Sequence, residues 1–217
     1  MKHLTNIIAV LFFGGLILNP FPISAKARQK EIIVDSTASL KIGNYIVIPK
    51  QFFPCELSEN SNDDTLKIFS CSDFVYSPFG DIKNKTKLKT SLLNNFEVKN
   101  KTVTESNGEF EFQILTLKSS KIILYFNKNP DGSKDSYIFK GEINDSIVNF
   151  TLGIRIGMSS EEFFKVFFDK FPKELMTKYH VIEFSSCVDA ITHIYNFYNY
   201  KLKSIDYVSD SYWTVDY

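Results

Sequence analysis

LGIRIGMSSEEFFKVFFDKFP, residues Leu152–Pro172, is the stretch from which the rest of this chain can be read. Ser159 stands as an N-cap before Ser160, which puts Glu162 at the third helical position, the reciprocal Ser-x-x-Glu capping box. Met158, before the cap, and Phe163, at the fourth position, are placed to form a hydrophobic staple. Phe163, Phe164, Phe167, Phe168 and Phe171 recur at i, i+1, i+4, i+5 and i+8 and make one wide apolar stripe. Glu161, Glu162, Lys165, Asp169 and Lys170 take the other side, with Glu161 and Lys165 a favourable i,i+4 pair. Pro172 closes the helix, because a residue before proline avoids the α region. The pattern predicts one short amphipathic helix, up to Phe171, that needs an apolar surface to cover.

Outward from the helix, strands follow on both sides. Tyr179–Phe184, Ile191–Phe197 and Leu202–Val208 come after it. Upstream, Phe110, Phe112 and Ile114 alternate with Glu111 and Gln113, the period-2 mark of a half-buried strand. Lys121–Phe126, Tyr137–Ile143 and Ile147–Leu152 read as further strands, with Asp131-Gly132 in the turn-rich stretch Asn127–Ser133. Short connections predict an antiparallel meander. Glu31–Asp35 and Tyr45–Pro49 read as early strands, Leu66–Tyr76 as an apolar run and Thr90–Phe96 as a short helix. Ser58–Thr65 is the clearest surface loop. Alternating Trp213, Val215 and Tyr217 predict a last strand or a docked end; the strands are too short and charged for a membrane barrel. The fold class expected is α+β, an antiparallel sheet with a short helix packed on one face. A glycine near a helix followed by strands occurs twice, at 77–151 and at 157–208, which suggests two related helix-plus-sheet modules. The expected division is a signal at 1–27, a β-rich region at 28–151 and a helix-plus-sheet module at 152–217.

Composition sets the compartment and removes some partners. Lys2 and His3 precede an apolar run, Ile7–Leu18, too short to span a bilayer comfortably. Ala25-Lys26-Ala27 then matches the small-x-small cleavage pattern of a secretory signal, with cleavage after Ala27 or, as second choice, Ala25. An uncleaved anchor is the alternative. The expectation is an exported protein, periplasmic or secreted, with no membrane insertion after signal cleavage. Loss of residues 1–27 removes Lys2 and Lys26, leaving 23 basic against 25 acidic side chains. That balance gives no reason to expect nucleic acid or an anionic membrane as partner. The 21 Phe and 11 Tyr fit a packed, β-rich domain. Of the three cysteines, Cys55 and Cys71 flank the polar loop, where a disulfide would leave Cys187 as a free, buried thiol; three reduced cysteines are the alternative.

Gly157-Met158-Ser159, with Glu162 three residues on, resembles the start of the first helix in exported proteins of the BamE (SmpA/OmlA) and β-lactamase-inhibitor-protein-like group. Tyr195-x-Phe197 and Lys201-Leu202-Lys203-Ser204-Ile205 are similar to that group's strand–turn–strand. The resemblance covers Leu152 to about Val208. It implies an α+β module and a binding role, envelope assembly in one branch and enzyme inhibition in another.

Catalytic signatures are missing from the sequence. It holds no Gly-x-Ser-x-Gly elbow, Walker loop, dinucleotide fingerprint or His-Glu-x-x-His, and nothing in it implies a cofactor. His180 and His193 stand singly in predicted strands and read as structural; Cys187 and His193 have no feature that activates a nucleophile. The expectation is therefore a non-enzymatic binding or assembly protein of the bacterial cell envelope, with another envelope protein as partner. Tyr195, Tyr198, Tyr200 and Tyr207 are the candidate binding residues, a surplus of aromatic surface around one hairpin. The alternatives are an exported hydrolase built from scattered carboxylates and a carbohydrate-binding module using Trp213 and the Tyr195–Tyr200 cluster.

Overall fold

In the computed structural model the described residues are 39–50, 53–54, 56–59, 64–82, 85–89, 91–105, 108–128, 134–187 and 190–209. The expected signal, the strand Glu31–Asp35, Cys55, the Asp131-Gly132 turn and the strand around Trp213 lie outside them. In chain order the elements begin with β1 (Leu40–Ile42), β2 (Tyr45–Pro49), β3 (Glu56–Glu59), β4 (Thr65–Ser70), α1 (Asp73–Tyr76) and α2 (Lys85–Leu88). Then come β5 (Glu97–Glu105), β6 (Gly108–Leu117), β7 (Ser120–Lys128), β8 (Lys134–Ile143) and α3 (Ser160–Phe167). The chain continues with β9 (Phe168–Lys170), α4 (Lys173–Lys178), β10 (Val181–Ser186), β11 (Ile191–Tyr198) and β12 (Lys201–Ser209). The protein is mostly β-sheet, largely antiparallel, with a few short helices.

Nine strands form one sheet in the order β3-β4-β10-β11-β12-β8-β7-β6-β5, and β1-β2-β9 form a small second sheet. Within the large sheet every neighbouring pair is antiparallel except β4 and β10, which run parallel from Thr65↔Val181 to Ser70↔Ser186. The boundary read at 151/152 falls inside this sheet: β8 pairs with β12, and β4 with β10. Hydrogen bonding across that line makes the two regions parts of one unit.

The parallel pair also decides the disulfide. Ser70 lies opposite Ser186, so the next residues emerge side by side, and Cys71 is bridged to Cys187 with Cα atoms 5.3 Å apart. The expected Cys55–Cys71 bridge is thereby excluded, since Cys71 is already used. Cys187 is not a free buried thiol; it is disulfide-bonded, and the residue is exposed.

The helix α3 forms at the start its signals predict, with the capping box in place. The Ser159 Oγ accepts the Glu162 N–H at 3.2 Å, and the Glu162 carboxylate accepts the Ser159 N–H at 2.7 Å. Phe163, Phe164 and Phe167 are fully buried, as is Met158 nearly, each such side chain contributing about 1.5–3 kcal/mol by leaving water. Phe163 meets Tyr195 and Phe197 at 4.8 and 5.3 Å, and Phe167 meets Phe184 at 4.7 Å, so the helix lies on β10 and β11. It stops at Phe167, four residues before the expected end. Phe168–Lys170 instead pairs with Ile48 and Pro49 of β2, although Phe168 and Phe171 stay buried and Phe171 stacks on Phe164 at 4.0 Å.

A strap, residues 71–82, crosses the same sheet face. The disulfide fixes its start, Phe74 of α1 sits on Phe167, Phe184 and His193, and Phe79 sits on Phe150 and Tyr207. Thr151 donates through both N–H and Oγ1 to the Pro78 carbonyl, at 2.8 and 2.9 Å, and Ser136 Oγ donates to the Ile82 carbonyl. Ile147–Leu152 is therefore a turn-rich segment docked against the strap, not a strand. Of the expected helix Thr90–Phe96, residues 91–96 likewise hold turns, with Leu93 and Phe96 buried in them, and Thr90 lies outside the described residues. On the opposite face, Phe112, Ile114, Ile123 and Phe139 make a smaller cluster. Along β6 and β7 they alternate with Leu115, Ile122 and Leu124 of the main core, as strand geometry requires.

Candidate functional site

Among the four tyrosines expected at a surface, the sheet separates two from two. Tyr195 is fully buried and Tyr207 is 2% exposed, whereas Tyr198 is 69% and Tyr200 54% exposed. Side chains alternate along β11 and β12, so those of Tyr195 and Tyr207 face the helix side. Tyr195 and Tyr207 are thus core residues, which corrects their expected place in a binding surface. Tyr195 packs on Phe163, and the Tyr207 ring lies 4.6 Å from that of His193, opposite Gly141, where a Cβ would come within 3.1 Å of the Tyr207 ring. Burial pushes both phenols well above their ordinary range.

His193 sits at the centre of this packing. Its Nε2 is 2.9 Å from the Val75 carbonyl of the strap, which requires Nε2–H as donor. Its Nδ1 then accepts from the Tyr195 hydroxyl at 3.2 Å. With full burial the imidazole is held neutral, its pKa pulled down to about 3 by desolvation against the raising effect of the Val75 hydrogen bond. Both nitrogens are engaged in structure, so His193 is a satisfied core histidine. His180 is exposed at the start of β10, where its carbonyl accepts the Phe197 N–H.

Tyr198 and Tyr200 stand at the tip of the β11–β12 hairpin. Asn199 and Tyr200, the two central residues, have φ of 47° and 58°, the left-handed pair of a type I′ turn. Asparagine suits this conformation; for tyrosine it costs about 1–2 kcal/mol. The neighbouring helix start holds the tip in place: Ser160 N–H donates to the Tyr200 carbonyl at 2.9 Å, Gly157 N–H to Leu202 and Leu202 N–H to Met158, both at 2.8 Å. Ser159 and Lys201 form a β-bridge. The Glu162 carboxyl beside them is held below its usual range by the Ser159 N–H and hydroxyl, with Arg155 and Lys201 adding to the effect. The result is a hydrogen-bonded tip that leaves two phenol rings exposed.

On the sheet face away from α3, the part formed by β4, β10, β11 and β12 is polar, beside the apolar cluster of β6–β8. It carries the Lys67–Glu183 ion pair at 3.1 Å, and Asn196 donating to Asp206 at 2.8 Å. Asp206 lies opposite Glu142; its carboxyl is raised by partial burial, lowered by Asn196 and raised again by Glu142. A hollow of about 280 Å³ at the far end of the sheet is lined by Glu97, Val98, Lys99, Ile114, Thr116 and Lys121, and Glu97 is its one carboxylate. Among the described residues no three His, Cys, Asp or Glu side chains converge in a group able to hold a metal ion, and no helix is long and apolar enough to cross a membrane. Sequence reasoning missed the left-handed tip because Asn-Tyr replaces the Asn-Gly that signals such a turn.

No family model, curated protein or solved structure matches the chain.

Proposed function

We propose that this chain is an exported, non-enzymatic binding or assembly protein of the bacterial cell envelope, periplasmic or secreted, and that its contact point is the Tyr198–Lys201 hairpin tip. The observation that carries the reading is Tyr200: a bulky aromatic, more than half exposed, kept in a left-handed turn position where glycine costs least. Strain of this kind concentrates at functional sites. Tyrosine offers apolar area with a polar tip, the composition favoured in protein interfaces. Export is supported by the Cys71–Cys187 bridge, since disulfides persist in oxidising compartments, and it agrees with the signal pattern of residues 1–27.

The α+β, two-module reading, and with it the resemblance to the BamE and β-lactamase-inhibitor-protein-like group, is carried here as part of the same proposal, within a single continuous sheet in which β8 pairs with β12. The test is the double change Tyr198→Ser and Tyr200→Ser in the exported protein. Unchanged thermal stability with loss of an envelope protein from in-cell crosslinks supports the proposal; a partner retained at full yield, or none recovered with the parent chain, overturns it. Intact mass of the exported chain checks the compartment: the expected start is Arg28, and retention of Met1–Ala27 contradicts export with cleavage.

A further inference from the structure

A second turn repeats what the hairpin tip does. Residues 150–154 close on themselves through Phe150 N–H to the Ile154 carbonyl at 3.2 Å and Gly153 N–H to the Phe150 carbonyl at 3.3 Å. Leu152 takes φ 65° and ψ 7°, and Gly153 follows at φ 74°. Here too the left-handed pair carries a bulky apolar residue where asparagine or glycine is unstrained. The Leu152 side chain is 47% exposed and belongs to neither apolar cluster, so the core does not account for it. Among the described residues the other non-glycine positions with positive φ, besides Tyr200 at the tip, are Lys118 and Asn199, both polar side chains.

Arg155 links the two turns. Its Nη1 donates to the Gly153 carbonyl at 3.4 Å, and its Nη2 lies 3.6 Å from Glu162 Oε1. Glu162 is bonded to Ser159, which bridges to Lys201 next to Tyr200. We infer that Leu152 is a second anchor of the binding surface formed by Tyr198 and Tyr200, and that the occupant is a folded protein offering an apolar pocket bordered by carboxylates. This rests on the reading of the hairpin tip as a contact point. An exposed leucine has no ring on which a sugar stacks, and it gains only by leaving water inside an apolar pocket. Arg155, hydrogen-bonded to the Gly153 carbonyl, and the tyrosines of the tip are residue types enriched at interface hot spots. Arg155 and Lys201 outnumber Glu162 along this path, so the complementary rim is acidic.

The test places a photoreactive amino acid at 152, at 200 and, as control, at exposed Thr102 on the far edge strand β5, in the full chain inside the cells that export it. One crosslinked product of the same mass is expected from 152 and 200 and none from 102. Leu152→Asn should leave the melting temperature unchanged or higher and cut the yield from position 200 at least tenfold; Arg155→Glu should lower the yield at both positions. A product from 200 that is absent at 152, differs in mass, or survives Leu152→Asn overturns this inference and leaves the hairpin tip standing. A yield unmoved by Arg155→Glu overturns the acidic rim, and a lowered melting temperature in Leu152→Asn makes Leu152 a packing residue. No product at either position removes both readings.

Discussion

Acid should weaken this protein through His193, and the size of the effect follows from how the ring is held. Its Nδ1 accepts from Tyr195, its Nε2–H is committed to Val75, and Phe74, Tyr195 and Tyr207 surround it without a charge among them. A proton taken up in the folded state would be buried unsolvated, so the folded pKa falls to about 3 against 6.5 for the free side chain. The unfolded chain therefore binds the proton first. Stability is full above pH 6.5 and drains as pH falls toward 3; between these two pKa values the loss reaches about 2–3 kcal/mol by about pH 4.5. Carboxyls held low in the folded state, such as Glu59 beside Lys178 and Tyr179, lose stability in the same direction. The comparison is therefore between wild type and His193→Gln, whose amide still donates and accepts but does not titrate. Urea unfolding of both at about pH 7 and about pH 4.5 gives the difference. The wild type should lose about 2–3 kcal/mol more than the variant across that interval. Equal losses would mean that His193 is reached by solvent in the folded protein, and the reasoning fails.

Three further outcomes are expected. Ser159→Ala should cost about 1 kcal/mol as a lost N-cap, and Phe167→Ala about 3–5 kcal/mol as a large core deletion; equal, negligible shifts in urea midpoint would show that α3 is peripheral. Peptide mapping of the non-reduced exported protein should yield the Cys71–Cys187 pair, and reduction should lower stability by about 2–5 kcal/mol; a Cys55–Cys71 peptide would refute the parallel register of β4 and β10. Tyr200→Gly should stabilise the free protein by about 0.5–1 kcal/mol, the relief of the left-handed backbone less glycine's extra freedom when unfolded; a lower melting temperature would show that the Tyr200 ring holds the hairpin together.

What sequence reading recovers here is local. The capping box, the buried phenylalanines of α3 and the strands expected at Tyr45–Pro49, Ile191–Phe197 and Leu202–Val208 rest on signals within a few residues of each other. What it misses is set by distant partners. Phe168–Lys170 has helical spacing, yet β2 offers its backbone a ladder and the helix yields. Leu66–Tyr76 reads as one apolar run because nothing local marks where β4 ends and the strap turns across the sheet. Tyr195 and Tyr207 are indistinguishable from Tyr198 and Tyr200 by residue type. The alternation of each strand separates them only once the helix-covered face is known, and the bulge at Asn196/Phe197 shifts that alternation near the tip. The choice among three cysteines depends on a parallel pairing that short connections argue against.

That pairing also orders events in time. As the chain is synthesised, β3 and β4 emerge together, but the strand that covers β4's other side arrives only with Val181. Until then Leu66 and Ile68, which end with no exposure at all, face solvent on an open strand edge. Closing so long a loop is slow, because its entropy cost comes before any contact rewards it. The middle of the sheet is thus the last part completed, and a chain that breaks off before β10 leaves an apolar hairpin able to pair with its own copies.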